Sequence, residues 1–236
     1  MKAKADWIER AKRNAAREAV KLVEDGFIVG LGSGSTTAYA IEEIGKKMKQ
    51  ESLHILAIPT SYQAFSLAAK HRIPLTTLEE HTMLDLTIDG ADQIDGQLNL
   101  IKGMGGALAR EKIVASASNK LVIIADESKR VRTLGENNHP IPIEVLPFAT
   151  AFVLRRIGKS GGRPVLREGK GKVGPVVTDN GNVIIDVVFG LLYKPEKLEH
   201  ELRDMPGVVE TGLFIGMADV AYIGMRSGVE KLVGKP

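Results

Sequence analysis

Residues 89–112 read D-G-A-D-Q-I-D-G-Q-L-N-L-I-K-G-M-G-G-A-L-A-R-E-K, and the organisation of the chain follows from this stretch. The run Asp85-Leu86-Thr87-Ile88 reads as a buried strand that delivers Asp89 and Asp92 into a turn marked by Gly90. A second apolar run, Leu98 to Ile101, delivers Lys102 into the glycine cluster Gly103-Met104-Gly105-Gly106. That cluster opens a helix carrying Glu111. Two carboxylates, an amine, backbone N–H groups and a third carboxylate thus gather at strand ends. A packed core has little use for them, whereas acid–base chemistry on a small oxygenated anion needs such a set.

Upstream, Phe27-Ile28-Val29-Gly30-Leu31 predicts a strand, Gly32-Ser33-Gly34-Ser35-Thr36 a loop, and Thr37 to Met48 a helix. A strand, a glycine-rich turn and a helix N-terminus form an anion site from backbone N–H groups and the helix dipole. The loop lacks the third glycine of G-x-G-x-x-G and the lysine of a P-loop, so a phosphate monoester suits it better than a nucleotide. Before it, Ile8, Ala11, Ala15, Ala19 and Leu22 fall at helical spacing. The opposite face carries Arg10, Lys12, Arg13, Arg17 and Lys21, a solvated face from which one or two cations can reach an anion.

The alternation continues with strands at Leu53–Ile58, Arg72–Leu75 and Lys120–Asp126, and with helices from Thr60 or Ser61 to Ala69 and from Leu108 to Ala117. Alternating strands and helices predict an α/β fold built on a Rossmann-like parallel sheet, whose ligands sit beyond the carboxyl ends of the strands. Each polar cluster, including Asp126-Glu127-Ser128-Lys129, lies at such an end. Near residue 130 the pattern changes to a proline-punctuated run, a helix from about Phe148 to Arg156 and a strand at Pro164–Arg167. A hairpin signal follows at Asp179-Asn180-Gly181-Asn182, then a helix opened by Pro195. The expected organisation is a catalytic α/β domain of residues 1–129 plus 208–236, with a smaller α+β domain at 130–207. In that scheme Val208–Phe214 and Asp219–Met225 return to the first sheet.

Composition narrows the functional classes. A net charge of +3, from 32 basic and 29 acidic residues mixed along the chain, argues weakly for nucleic acid. With no cysteine there is no disulfide, thiol nucleophile or Cys-ligated metal, and the five histidines show no metal-ligand spacing. The first 25 residues are rich in Lys, Arg and Glu, without the apolar run of a secretory signal. No apolar run approaches the roughly 20 residues that span a bilayer. A cytoplasmic protein with a small-molecule ligand is expected.

D-G-A-D followed by I-K-G-x-G-G-A-L-x-R-E-K, and preceded by G-x-G-S-T, resembles ribose-5-phosphate isomerase, type A. The resemblance extends to A-D-x-S-K at Ala125–Lys129, P-I-P-I-E-V-L-P at Pro140–Pro147, D-N-G-N-V-I-I-D at Asp179–Asp186 and P-G-V-V-E-T-G-L-F at Pro206–Phe214. It implies a sugar-phosphate substrate, interconversion of ribose 5-phosphate and ribulose 5-phosphate without metal or organic cofactor, and a homodimer or homotetramer. It also implies that the smaller domain is ferredoxin-like. By the same resemblance Glu111 is the general base, and Asp89, Asp92 and Lys102 handle the substrate hydroxyls and ring opening. Ser33, Gly34, Ser35, Thr36, Gly90, Ala91, Gly103, Met104, Gly105 and Lys129 complete the substrate contacts. The chain departs from the family pattern twice: Gln93 stands where Glu is common, and Met104 replaces a glycine. Gln93 loses a charge, and Met104 narrows the backbone angles open to the cluster. Two other classes compete, a sugar-phosphate-sensing regulatory domain and a nucleotide-binding oxidoreductase module. Intact Glu111 and Lys102 argue against the first, and the lack of a clear acidic ribose-binding residue after the second strand argues against the other.

Overall fold

A computed structural model describes residues 2–169, 171 and 173–234. The elements run α1 (Lys2–Val20), β1 (Ile28–Leu31), α2 (Ser35–Glu51), β2 (Leu56–Pro59), α3 (Tyr62–Lys70) and β3 (Leu86–Gly90). Next come β4 (Gln93–Ile94), β5 (Leu100–Ile101), α4 (Leu108–Ser116), β6 (Leu121–Asp126) and β7 (Ile141–Val145). The chain continues through α5 (Thr150–Lys159), β8 (Arg163–Leu166), β9 (Val183–Val188), α6 (Pro195–Arg203) and β10 (Val208–Thr211). It ends with β11 (Leu213–Phe214), β12 (Val220–Met225) and β13 (Gly228–Val233). Two compact units result, one of residues up to Ala91, Arg110–Arg130 and from Gly216 on, the other of Asp92–Ala109 and Val131–Ile215. Among the described residues no helix is long and apolar enough to cross a membrane.

In the first unit the sheet order is β13-β12-β6-β3-β1-β2, parallel throughout except for β13, which runs antiparallel to β12 at the edge. Helices cover the parallel strands, so these read as unbroken apolar runs; all six residues of β6 are buried. Val29, Leu31, Leu86, Ile88, Val122 and Ile124 pack against Ala15, Ala16 and Ala19 of α1 and Ile41 and Ile44 of α2. Small alanines on α1 let its backbone lie close to the sheet. β1 pairs with both β2 and β3, so the chain reverses its direction of travel across the sheet there. Crevices at such reversals are where parallel sheets hold ligands.

The second unit carries an antiparallel sheet of order β10-β7-β9-β8. With α5 after β7 and α6 after β9, this is the βαββαβ arrangement of a ferredoxin-like fold. Ile141, Ile143, Val145, Ile185 and Val187 pack against Val153 and Ile157 of α5 and Leu202 of α6. A small sheet of order β11-β5-β4 completes the unit.

The parallel sheet and the ferredoxin-like module match the expected fold class, but several segments differ. Val208–Phe214 does not return to the first sheet: β10 pairs with β7 and β11 with β5. Residues 92–109, placed with the α/β domain by the sequence pattern, group with the second unit because β4 and β5 pair with β11 there. Arg72–Leu75, expected as a strand, contributes an isolated bridge from Leu75 to Ala57. At the expected hairpin, the Gly181 N–H donates to Thr178 O at 2.9 Å and closes the turn. β9 nevertheless forms its antiparallel ladders with β7 and β8, and Val176–Thr178 contributes only the isolated bridge from Val177 to Val183.

That turn is held from inside the sheet. Glu144 of β7 is fully buried, and its Oε1 accepts hydrogen bonds from Thr178 Oγ1 (2.9 Å), Asn180 Nδ2 (2.9 Å) and Asn182 Nδ2 (2.8 Å). Truncation to alanine removes the shared acceptor of three donors. Glu144→Ala is therefore expected to lose about 3 kcal/mol of unfolding free energy, measured by urea titration. A loss below about 0.5 kcal/mol would show that the turn stands without it.

Candidate active site

The carboxyl edge of the first unit's sheet collects polar groups from four strands. Asp89, the fourth residue of β3, is fully buried, and its Oδ1 accepts the N–H of Gly90 at 2.7 Å and of Ser33 at 3.2 Å. The loop after β1 can approach because Gly32 has no side chain: a Cβ there would lie 2.0 Å from Asp89 Oδ1. Gly34 precedes α2 at φ +122°, ψ −176°, a conformation that needs glycine, and its N–H donates to Gln63 Oε1 at 2.9 Å. α2 starts at Ser35, so the amides of Ser35 and Thr36 lie in a first turn that offers them no intrahelical acceptor.

Ser33 has a second role. Its hydroxyl bonds Thr60 Oγ1 at 2.8 Å and Ser61 Oγ at 2.5 Å, tying the loop after β1 to the one after β2. Ser61 also caps α3 by accepting the Ala64 N–H at 3.1 Å. Lys129 sits half-buried in a short 3-10 turn after β6, which Asp126 caps through the Ser128 N–H and hydroxyl. Glu111 lies in the first turn of α4 and is 4% exposed.

Lys12 of α1 adds a cation here. Its Nζ donates to Ser35 Oγ at 3.2 Å and to Glu9 Oε1 at 2.9 Å, while the Tyr39 hydroxyl donates to the other Glu9 oxygen. The Tyr39 hydrogen bond, followed by that of Lys12, holds the Glu9 carboxyl below the usual range and keeps it an anion that anchors Lys12. In the sequence Lys12 is one of five cations on a helix face, and only the packing of α1 singles it out.

The second unit carries the other residues. The Asp92 N–H donates to Ile101 O at 2.8 Å, and Asp92 Oδ2 accepts the Met104 N–H at 3.0 Å. Lys102 is 2% exposed; its N–H donates to Gly212 O at 2.8 Å and its Nζ stands 5.3 Å from the centre of the Phe214 ring. The Gly106 N–H donates to Gly103 O at 3.0 Å, closing a turn in which Gly103 (φ +99°) and Gly106 (φ +82°) take left-handed angles. Met104 takes no such angle, so a side chain there costs the backbone nothing. A Cβ at Gly105 would meet nothing within 4 Å.

Gln93 is explained by its neighbours. It accepts the Gly135 N–H at 2.7 Å and donates to Glu136 O at 3.0 Å, and a glutamate could make only the first of these bonds. Among the sequence-derived site residues, the structure brings Ser33, Asp89 and Gly90 together in one unit and Asp92 and Met104 together in the other. Thr60, Ser61 and Gln63, which join the glycine loop, carried no signal beyond a helix cap in the sequence.

The family model described as ribose 5-phosphate isomerase A (phosphoriboisomerase A) matches residues 56–228. The ribose-5-phosphate isomerase A of Methanosarcina acetivorans is 48% identical over 94% of this chain and 93% of its own length. The solved ribose 5-phosphate isomerase A of Methanocaldococcus jannaschii superposes with a TM-score of 0.92 at 46% identity, covering 95% of this chain and 99% of that one. A D-ribose-5-phosphate isomerase solved with phospho-erythronic acid superposes at 0.93 and 44% identity, covering 96% and 99%.

The contact between Gly32 and Asp89 is testable on stability. Gly32→Ala forces the Asp89 carboxylate off Ser33, and a loss of about 1–3 kcal/mol in urea unfolding is expected. Unchanged stability would mean that Asp89 does not fix this loop.

Proposed function

This chain belongs to the ribose 5-phosphate isomerase A family of aldose–ketose isomerases, and we propose that it interconverts ribose 5-phosphate and ribulose 5-phosphate through a cis-enediolate with Glu111 as base. The observation that carries this reading is burial: Asp89, Lys102 and Glu111 are 0, 2 and 4% exposed. Ionisable groups withdrawn from water cost stability, and a chain that places them at strand and helix ends spends that stability on chemistry. The phosphorylated four-carbon acid bound by one structural relative supports a sugar phosphate as the substrate class.

Each group has a chemical task. Glu111 takes the proton from C2 and returns it to C1, which a single carboxylate can do for adjacent carbons. Its place in the first turn of α4 favours the anion, the form that accepts a proton. Charge developing on the enediolate oxygens is met by the Lys102 ammonium and by amides of the Gly103–Gly105 cluster, so the reaction needs no metal ion. The sugar arrives mostly as a ring, and Asp89 or Asp92, which flank Gly90 and Ala91, carries the proton from O1 to the ring oxygen. Ser33, Gly34, Ser35, Thr36 and Lys129 hold the 5-phosphate. The first-turn amides of α2 and the Lys12 cation at Ser35 support that assignment.

Glu111→Gln keeps shape and hydrogen bonding but cannot accept a proton. It is expected to fold, to bind substrate with little change in KM, and to lose about three orders of magnitude in kcat together with deuterium exchange at C2. More than about a tenth of wild-type kcat in that variant would exclude Glu111 as the base.

The phosphate assignment calls for two enzymes and two sugars. Binding energy from a non-reacting phosphate positions the reacting carbons, so ribose should be more than about tenfold poorer than ribose 5-phosphate in kcat/KM. Lys129→Ala should cost the phosphorylated sugar strongly and ribose little. Equal fractional losses on both would remove Lys129 from the phosphate.

A further inference from the structure

Arg167, in the second unit, belongs to none of the groups assigned above. It follows β8, and its backbone continues the ladder: its N–H donates to Ile184 O at 2.8 Å and its carbonyl accepts the Val176 N–H at 2.9 Å. The guanidinium is gripped by Asp186 of β9, through Nε to Oδ2 at 2.7 Å and Nη2 to Oδ1 at 2.5 Å. The two side chains are 12% and 21% exposed, so this bidentate pair is largely withdrawn from water. The remaining nitrogen reaches the glycine turn, where Nη1 donates to Gly103 O at 3.0 Å and Met104 O at 3.1 Å. Nη2 lies 3.8 Å from Met104 Sδ.

These bonds orient two peptide planes. Across a planar trans peptide the C=O of one residue and the N–H of the next point in opposite directions. With both carbonyls drawn to Arg167, the Met104 and Gly105 amides face away from it. The Met104 amide does so visibly, since it meets Asp92 Oδ2 at 3.0 Å. At Gly105 a Cβ would meet nothing within 4 Å, so no packed side chain crowds the side-chain position of this residue. A cation bonded to the carbonyls also polarises the peptide units and makes their amides better donors to an anionic oxygen.

We propose that Arg167, clamped by Asp186, is a positioning residue that holds the Gly103–Gly106 turn so that the Gly105 amide is preorganised for the oxygen that becomes negative during the reaction. This rests on the isomerase reading above. A donor aimed at charge present only in the transition state affects kcat more than KM. Lysine cannot substitute, because a single ammonium cannot grip Asp186 through two nitrogens and bridge two carbonyls as well.

The test compares the full-length wild type with Arg167→Met, Arg167→Lys and Asp186→Asn. Steady-state kinetics on ribose 5-phosphate, calorimetric binding of phospho-erythronic acid (whose carboxylate mimics the enediolate), and urea unfolding are measured on each. The expected result for Arg167→Met is a folded protein with kcat lowered by about tenfold or more and KM changed by less than about threefold. Affinity for phospho-erythronic acid falls with kcat, Arg167→Lys does not restore it, and Asp186→Asn gives a smaller loss in the same direction. A folded Arg167→Met with wild-type kcat and acid affinity overturns the proposal. So does a kcat loss that matches the unfolded fraction alone. If Arg167→Met does not fold, Arg167→Lys decides, and wild-type kcat in that variant overturns the proposal. A wild type that does not turn over ribose 5-phosphate refutes the isomerase reading. In that event the Gly105 amide resonance still tests the positioning: it should shift in ligand-free Arg167→Met or Arg167→Lys, and an unmoved resonance sinks the claim.

Discussion

The first unit depends on a buried carboxylate at the end of β3. Asp89 accepts the N–H groups of Gly90 and Ser33, and so joins the ends of two neighbouring parallel strands where the sheet reverses direction. A buried carboxylate is costly unless donors surround it, which ties the loop after β1 to this one geometry. Gly32 leaves room for the oxygen, Gly34 turns the chain into α2, and the Ser33 hydroxyl carries the link on to Thr60 and Ser61 after β2. A group that reads as a catalytic candidate is thus also the brace of the loop that reads as a phosphate cradle.

The second unit solves a similar problem by different means. Its glycine turn has no parallel sheet to lean on, and the carbonyls of the turn are taken up by Arg167 while one of its amides is taken up by Asp92. Met104 fits this arrangement: its backbone angle suits any residue, and its sulfur faces the guanidinium. Gln93 is a parallel case, a departure from the family pattern whose amide holds the loop at Gly135 and Glu136 from both sides. Both substitutions are accommodated by local hydrogen bonding rather than by rearrangement of the turn.

Much of this was legible in the residues. Parallel strands buried on both faces give runs such as Leu121–Asp126, and glycine clusters at their ends mark the loops, so β1, β3 and β6 fall where the pattern puts them. The sequence left other things open. Val208–Phe214 is apolar enough for either sheet, and its partners, β7 and β5, lie far away in the chain. Lys12 is indistinguishable from Arg10 or Arg13 until α1 is packed, and Arg167 has no motif around it at all.

What the sequence determined by itself was the alternation of strands and helices, the positions of the loops and the set of chemical groups available at their ends. These follow from periodicity and from residues, glycine above all, whose backbone preferences act within a few positions. Tertiary structure alone decided which strand pairs with which, that Ser33 is braced by Ser61, and that a guanidinium 63 or 64 residues away grips the carbonyls of the glycine turn. Hydrogen bonds of this kind join groups distant in the chain, and their partners are chosen by packing and burial rather than by neighbouring residues.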